Sequence, residues 1–283
     1  SYYFGVGSDR IFSHAGLTDI IYLLFRLLSL NNVYLVRREF PVYKYVLTNL
    51  GIPFVELQTD GEETYRGLCD FRAPDVDNAV FVMSRPNSLF GYSPGMELLQ
   101  RLFENNPQVL FIIDEAYQAF SPERSVLELT GRFDNIVCLR TASKEFSLPA
   151  IRLAWLITGN KELLRLMYAK TYNTVSRLSE IYIDNIITKQ RSKHTRNIVY
   201  IINERRRIEQ RIINSSVRLY AESQNGMITF RMDKQRYQEL KHRCSAASLE
   251  PLFLNDVEVC RRFATATIIM CDSMSGIESS MTR

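Results

Sequence analysis

The amino-acid sequence predicts an α/β fold: a large, mostly parallel sheet domain covered by helices on both faces, followed by a smaller α+β C-terminal domain. Three observations carry this expectation. Short unbroken apolar runs alternate with helical stretches from Ile20 to Ile157, the pattern of strands buried on both sides. From about Lys161 the texture changes to long helices with a few separate strands. Reactive polar residues stand directly after several of the apolar runs, where open α/β sheets bind their ligands.

The first helix is expected over Ile20 to Leu30, an apolar stretch without Gly or Pro that is entered through the capping pair Thr18-Asp19. Val33-Tyr34-Leu35-Val36 reads as a short buried strand. Pro41 to Leu50 reads as a second helix, with Gly51 in the C-terminal position that favours glycine. Strands follow at Pro53 to Leu57 and at Asn78 to Met83, the latter running into the turn Ser84-Arg85-Pro86-Asn87. Met96 to Asn105 is helical. Val109 to Ile113 is the most strongly apolar strand, closed by Asp114-Glu115, and Ile136 to Leu139 and Leu153 to Ile157 complete the set. The second part reads as helices over Glu162 to Lys170 and Glu180 to Arg211, a strand from Met227 to Phe230, a helix from Lys234 to Cys244, a strand from Phe263 to Met270 and a last short helix. We place the domain boundary so that residues 1–185 form the large domain and 186–283 the small one.

Composition narrows the class. The 283 residues are 46% hydrophobic and 23% charged, which suits a globular chain with room for two cores. A net charge of +4 is small for this length and gives no reason to expect nucleic acid or an anionic membrane as partner. The basic helical stretch Lys189 to Arg211, with Lys193, Arg196 and Arg205-Arg206-Arg207, reads as a solvated helix face rather than a nucleic-acid patch. No segment approaches the apolar length of a membrane span. Five scattered cysteines (Cys69, Cys138, Cys244, Cys260 and Cys271) form no C-x-x-C pair, so free thiols in a reducing, cytoplasmic setting are expected, and no metal site. The N-terminus lacks the pattern of a signal peptide and an initiator Met, so the chain is expected to begin inside a longer protein.

The stretch that carries chemistry is Arg140-Thr141-Ala142-Ser143-Lys144-Glu145-Phe146-Ser147-Leu148-Pro149-Ala150-Ile151-Arg152. A lysine after Ser and eight residues before Arg is unusual for a surface loop. It suits a covalent aldehyde cofactor with a phosphate tail: the Lys144 amine forms the imine, while Ser143 and the Arg152 fork bind the phosphate. Spacing alone favours a solvated loop with two ordinary charges. The second stretch, Phe111-Ile112-Ile113-Asp114-Glu115-Ala116-Tyr117, changes that balance. A carboxylate ending a buried strand needs a partner. Paired with a pyridinium N–H, Asp114 keeps the ring protonated and electron-withdrawing, and Tyr117 bonds the ring's phenolic oxygen. The competing reading of Asp114 is a strand-end cap, which leaves the Lys144 stretch unexplained.

Asp-Glu-Ala-Tyr followed by Arg-Thr-x-Ser-Lys-x-Phe-x-Leu and a closing Arg resembles the signature of the fold type I, pyridoxal-phosphate-dependent aminotransferases. The branch most similar is that of histidinol-phosphate aminotransferase and threonine-phosphate decarboxylase, over Phe12 to about Ile183. The resemblance implies a transferase of amino acid metabolism and biosynthesis with pyridoxal 5'-phosphate on Lys144, a small-molecule amino substrate, a keto acceptor and a homodimer. It leaves two alternatives: an amino-acid decarboxylase, or a cofactor-binding protein with degraded catalysis. It implies a helix N-terminus under the cofactor phosphate. Gly5-Val6-Gly7-Ser8-Asp9 matches in lettering, but Gly16-Leu17-Thr18-Asp19 leads into a helix, so Leu17 and Thr18 are preferred; a plain N-cap accounts for them equally. Pro41-Val42-Tyr43 is similar to the family's Pro-x-Tyr, whose ring stacks on the cofactor. Arg85-Pro86-Asn87-Ser88-Leu89-Phe90-Gly91 resembles the family's Pro-Asn-Asn-Pro-Thr-Gly. There Ser88 holds the register of the ring-oxygen Asn, Asn87 is its neighbour and our candidate, and Leu89-Phe90 replaces Pro-Thr. The late Arg that holds a substrate carboxylate is best matched by Arg262, in a motif that is not intact, and the family's N-terminal arm is absent from this sequence.

Overall fold

The computed structural model describes residues 2–28, 30, 32–37, 39–57, 67–74, 78–88, 91–172, 174–213, 218–219, 223–225, 227–233, 252–254 and 263–269. The first part is built on strands β1 (Ile11–His14), β2 (Asn32–Val36), β3 (Phe54–Leu57), β4 (Ala79–Ser84), β5 (Leu110–Asp114), β6 (Ile136–Thr141) and β7 (Ala154–Thr158). Its helices are α1 (Leu17–Leu27), α2 (Pro41–Asn49), α3 (Met96–Glu104), the one-turn α4 (Ala142–Glu145) and α5 (Lys161–Ala169). Then come α6 (Arg177–Lys189) and α7 (Arg191–Ile213), and strands β8 (Arg218–Leu219), β9 (Met227–Asp233), β10 (Leu252–Leu254) and β11 (Phe263–Ile269).

The seven strands form one sheet in the order β1-β7-β6-β5-β4-β2-β3. Strands β2 to β6 run parallel to one another, and β7 lies antiparallel between β6 and β1. Alternation across a strand explains the apolar runs. Val80 and Val82 of β4 join the cluster under α1 and α2, whereas Phe81 and Met83 join the cluster under α3. Ile112 against Phe111 and Ile113 in β5, and Val137 against Ile136 and Cys138 in β6, divide the same way. Among the described residues no helix is long and apolar enough to cross a membrane.

The register brings the ends of several elements to one edge. Ser84 of β4 pairs with Asp114 of β5, while Thr141 of β6 and His14 of β1 both pair with Ala154 at the start of β7. Helix α1 starts three residues after His14, so its N-terminus opens at that edge as well.

A second, four-stranded antiparallel sheet has the order β10-β11-β9-β8. The expected single helix over Glu180 to Arg211 is in fact two: Gln190, at φ −119° and ψ 14°, leaves the helical region between α6 and α7. No Gly or Pro signals that break. The basic face of α7 also needs correction. Arg205 is buried in one stripe with Ile208, Glu209 and Ile212, and its Nη1 donates to the Asn225 carbonyl at 2.8 Å. The expected helices at Lys234 to Cys244 and at the C-terminus lie outside the described residues.

Candidate active site

At the carboxyl edge of the sheet lies a cavity of about 230 Å³, and Leu17, Thr18, Asp114, Tyr117, Ser143, Lys144 and Arg152 all line it, together with Phe40, Ser84, Ser88, Ala116, Thr141 and Pro149. Seven of the ten residues singled out from sequence therefore meet in one place.

Asp114 ends β5 and is 3% exposed. The Tyr43 hydroxyl donates to its Oδ2 at 2.7 Å and the Ala116 amide to its Oδ1 at 3.0 Å. Burial pushes the Asp114 carboxyl up to about 6, although these two hydrogen bonds favour the charged form. A buried carboxylate met only by neutral donors calls for a cationic N–H. Oδ1 caps the turn through the Ala116 amide, and Asp114 also lines the cavity.

Lys144 sits on α4, whose N-cap is Thr141; the Thr141 Oγ1 accepts from the Ser143 amide at 3.2 Å. The Lys144 Nζ lies 5.4 Å from the centre of the Tyr117 ring. The neighbouring residue anchors the turn. Glu145 is buried, pairs with Arg140 Nη2 at 2.9 Å and accepts from the Tyr3 hydroxyl. Arg140 also meets Glu115, which pairs in turn with the fully buried Arg85 at 3.0 Å. This buried chain of charges joins the residue after Asp114 to the residue after Lys144, and so fixes the two motifs against each other.

An anion cradle forms where α1 begins. Gly16 has φ +107°, and a Cβ there would lie 2.3 Å from Arg152 Nη2, so only glycine lets the guanidinium rest against the start of α1. No side chain caps α1, which leaves its first amides and the positive end of its dipole to a ligand. Arg152 itself has φ 46° and ψ 60°, a left-handed conformation that costs a non-glycine residue about 1–2 kcal/mol. Its Nη1 donates to the Pro149 carbonyl at 3.3 Å. The cavity thus gathers a dianion cradle, a primary amine and a buried carboxylate, the complement of a protonated heteroaromatic aldehyde bearing a phosphate.

Two expectations are redistributed. Tyr43 is fully buried, bonded to Asp114, and does not line the cavity; besides Tyr117, the aromatic ring that does is Phe40, at the N-cap of α2 directly before Pro41. Asn87 is fully buried and does not line the cavity: its Nδ2 donates to Glu39 Oε1 at 3.3 Å, while Ser88 lines the cavity. Glu39 was not anticipated. It is 6% exposed, also accepts from the Ser84 hydroxyl, and its carboxyl is pushed up to about 7 by burial. Arg262 lies outside the described residues.

Comparison with known proteins agrees with this geometry. The family model "Aminotransferase class I and II" matches residues 3–258. A histidinol-phosphate aminotransferase from Prosthecochloris aestuarii (strain DSM 271 / SK 413) is 25% identical over 238 residues, covering 83% of this chain and 66% of that protein. This chain therefore spans just under two thirds of that relative's length. A decarboxylase from Sulfurospirillum multivorans shares the fold with a TM-score of 0.81 at 16% identity, over 99% of this chain and 82% of that one. Histidinol-phosphate aminotransferase from Sinorhizobium meliloti, solved in complex with pyridoxal-5'-phosphate, gives a TM-score of 0.76 at 17% identity, over 99% and 80%. The chain belongs to the class I and II aminotransferase family.

Proposed function

We propose that the protein is a pyridoxal-phosphate-dependent aminotransferase acting on a small amino substrate and a keto acceptor. The observation that carries this reading is the meeting of Asp114, Lys144, Ser143, Arg152 and the α1 N-terminus in one cavity. Pyridoxal phosphate, when bound, supplies an aldehyde that condenses with amines and a ring that withdraws electrons from the carbon under attack.

The chain's own groups then have separable tasks. Arg152, Ser143 and the amides of Leu17 and Thr18 bind the phosphate dianion. Asp114, held by Tyr43 and the Ala116 amide, accepts the ring N–H and keeps the ring protonated. Lys144 bears the cofactor, and once displaced by substrate its amine moves the proton between substrate and cofactor carbons as base, then acid. Tyr117 lies across from Lys144 as a donor, and Phe40 supplies an aromatic wall. Arg262 is the candidate clamp for a substrate carboxylate. The family resemblance also supports a homodimer working in the cytoplasm, with residues 1–185 as the cofactor domain and 186–283 as the small domain.

The test presents histidinol phosphate, common amino acids and phosphorylated amino acids to the full chain loaded with pyridoxal phosphate. Build-up of the amine form of the cofactor supports transamination. Carbon dioxide release without it shows a decarboxylase, and silence with every substrate shows a binding protein without turnover. Because the motifs around Ser88 and Arg262 depart from the family, we expect turnover of a substrate other than histidinol phosphate.

A further inference from the structure

We propose that His194 of α7 is a positioning residue for Lys144: its uncharged ring, stacked on Phe146, holds in place the one-turn helix that carries the lysine. The inference rests on the proposed function for the task of Lys144; the contact itself exists without cofactor.

Helix α4 is four residues long, too short to be stable on its own. Its place is set by what grips it from outside. Thr141 caps its start, and the Glu145 carboxylate is held by Arg140 of β6 and by the Tyr3 hydroxyl of the N-terminal segment. Phe146 forms its C-cap, and the Phe146 and Leu148 amides both donate to the Ala142 carbonyl at 3.2 Å. Helix α7 adds a further grip. The His194 ring lies flat on Phe146, with centres 4.5 Å apart and planes 18° apart, and Tyr3 meets the Phe146 ring at 5.2 Å. The Phe146 side chain that receives both contacts stands two residues after Lys144.

The imidazole titrates apart from the cofactor cavity. Behind α4 lies a second cavity of about 380 Å³, with Tyr3, Phe4, Arg140, Glu145, Arg191 and His194 among its lining residues. It shares no lining residue with the cofactor cavity. The ionisable groups that face His194 there are Glu145 on α4, Arg140 on β6, Tyr3 on the N-terminal segment and Arg191 on α7 itself. Half-burial lowers the His194 pKa from its ordinary 6.5, and the attraction of Glu145 offsets only part of this. Glu145 is already engaged by Arg140. The docked ring is therefore the uncharged one. By linkage, a proton on His194 weakens the docking: the contribution is present in full above about 6.5 and is lost as pH falls below it.

The test times the growth of the visible band after the full chain is mixed with excess pyridoxal phosphate, from about pH 8 down to about pH 5.5. Amide hydrogen exchange at Phe146 and Leu148 is followed in the same chain without cofactor. His194→Ala is expected to slow band growth about three- to tenfold at pH 8, because a loosened lysine meets the aldehyde less often, and to speed exchange at the two amides by a similar factor. His194→Phe, which can stack but cannot ionise, should stay within about twofold of the parent at pH 8 on both readouts. On acidification the parent should lose band growth relative to His194→Phe by about threefold or more, since only the parent's ring takes up a proton. Tyr3→Phe, which removes a donor to Glu145, should slow band growth about two- to fivefold at every pH and leave that acid dependence in place. Should His194→Ala fail to fold, the His194→Phe comparison decides. A parent to His194→Phe ratio that stays constant or rises on acidification, or unchanged exchange in a folded His194→Ala chain, would overturn the proposal. A parent chain that forms no visible band would overturn the proposed function and the task given to Lys144, while the exchange readout still decides whether His194 holds α4; a band indifferent to His194 overturns the inference alone.

Discussion

The β5–β6 side of the cavity and the β4 side are made at the same edge of one sheet, and they differ in how their polar groups are satisfied. On the β5–β6 side, Glu115, Arg140, Glu145 and Arg85 compensate one another in a buried chain of ion pairs that holds Asp114 and Lys144 in place. On the β4 side, the Glu39 carboxyl meets a hydroxyl and an amide, and Ser88 Oγ meets nothing. The first side is organised before any ligand arrives. The second keeps a hydroxyl without a partner in the cavity wall. The difference separates two physical tasks: anchoring a cofactor, which needs fixed charge, and tuning it, which needs donors in reserve.

The comparison can be broken at several points. The largest effect short of removing the lysine is expected from Asp114→Asn. The fold should survive, because the amide oxygen can still accept from the Ala116 N–H while the amide nitrogen donates to the Tyr43 hydroxyl, but turnover should fall about 100-fold or more, since a neutral group cannot hold the ring proton. Steady-state kinetics on the loaded protein reads this, and parent-like turnover would reduce Asp114 to a cap. Next comes the anion cradle. Arg152→Gln should weaken cofactor binding about 10- to 100-fold through the loss of charge-assisted hydrogen bonds to the phosphate. Inorganic phosphate should protect the parent chain, but not the variant, against thermal unfolding.

The smallest effect lies on the β4 side and is read from pH. Burial pushes Glu39 up to about 7 from its ordinary 4.5, so the folded chain holds this proton more tightly than the unfolded chain. That contribution to stability is present in full below about 4.5 and is lost as pH rises through about 7. An amide at this position cannot ionise, so the Glu39→Gln variant should be more stable than the parent at pH 8 by on the order of 2 kcal/mol, with the gap closing near pH 5. Denaturant unfolding of both chains at the two pH values measures it. Equal stability at both would place the carboxylate's charge in contact with a compensating group.

Sequence reading brought together the residues of the β5–β6 side and missed the contacts of the β4 side, for a physical reason. Asp114, Tyr117, Ser143, Lys144 and Arg152 lie in two short stretches whose local geometry, a strand end and a capped turn, dictates where each side chain goes. The β4 side is assembled from residues far apart in the chain. Glu39 reaches Asn87 across 48 positions and Asn225 reaches Asn87 across 138, and no local pattern encodes either contact. Tyr43 was legible as a site residue, but its task was not. Burial of one face of α2 sends Tyr43 down to Asp114 and leaves Phe40, one residue before Pro41, to face the cavity. Phe40 carried a signal in its place at the helix entry. The strands of the large sheet were legible from their apolar runs, with the exception of β1, whose four residues Ile11–His14 alternate too briefly to declare a strand. The break between α6 and α7 left no mark in the sequence at all.

The most direct test of the account is covalent. The full chain is incubated with pyridoxal phosphate, reduced with borohydride, digested and mapped by mass spectrometry, beside a Lys144→Ala variant treated in the same way. The account predicts a pyridoxyl adduct on Lys144 in the parent chain, loss of the visible absorbance band in the variant, and no adduct elsewhere at stoichiometric cofactor. A stoichiometric adduct on another lysine, or one that persists in Lys144→Ala, would contradict it.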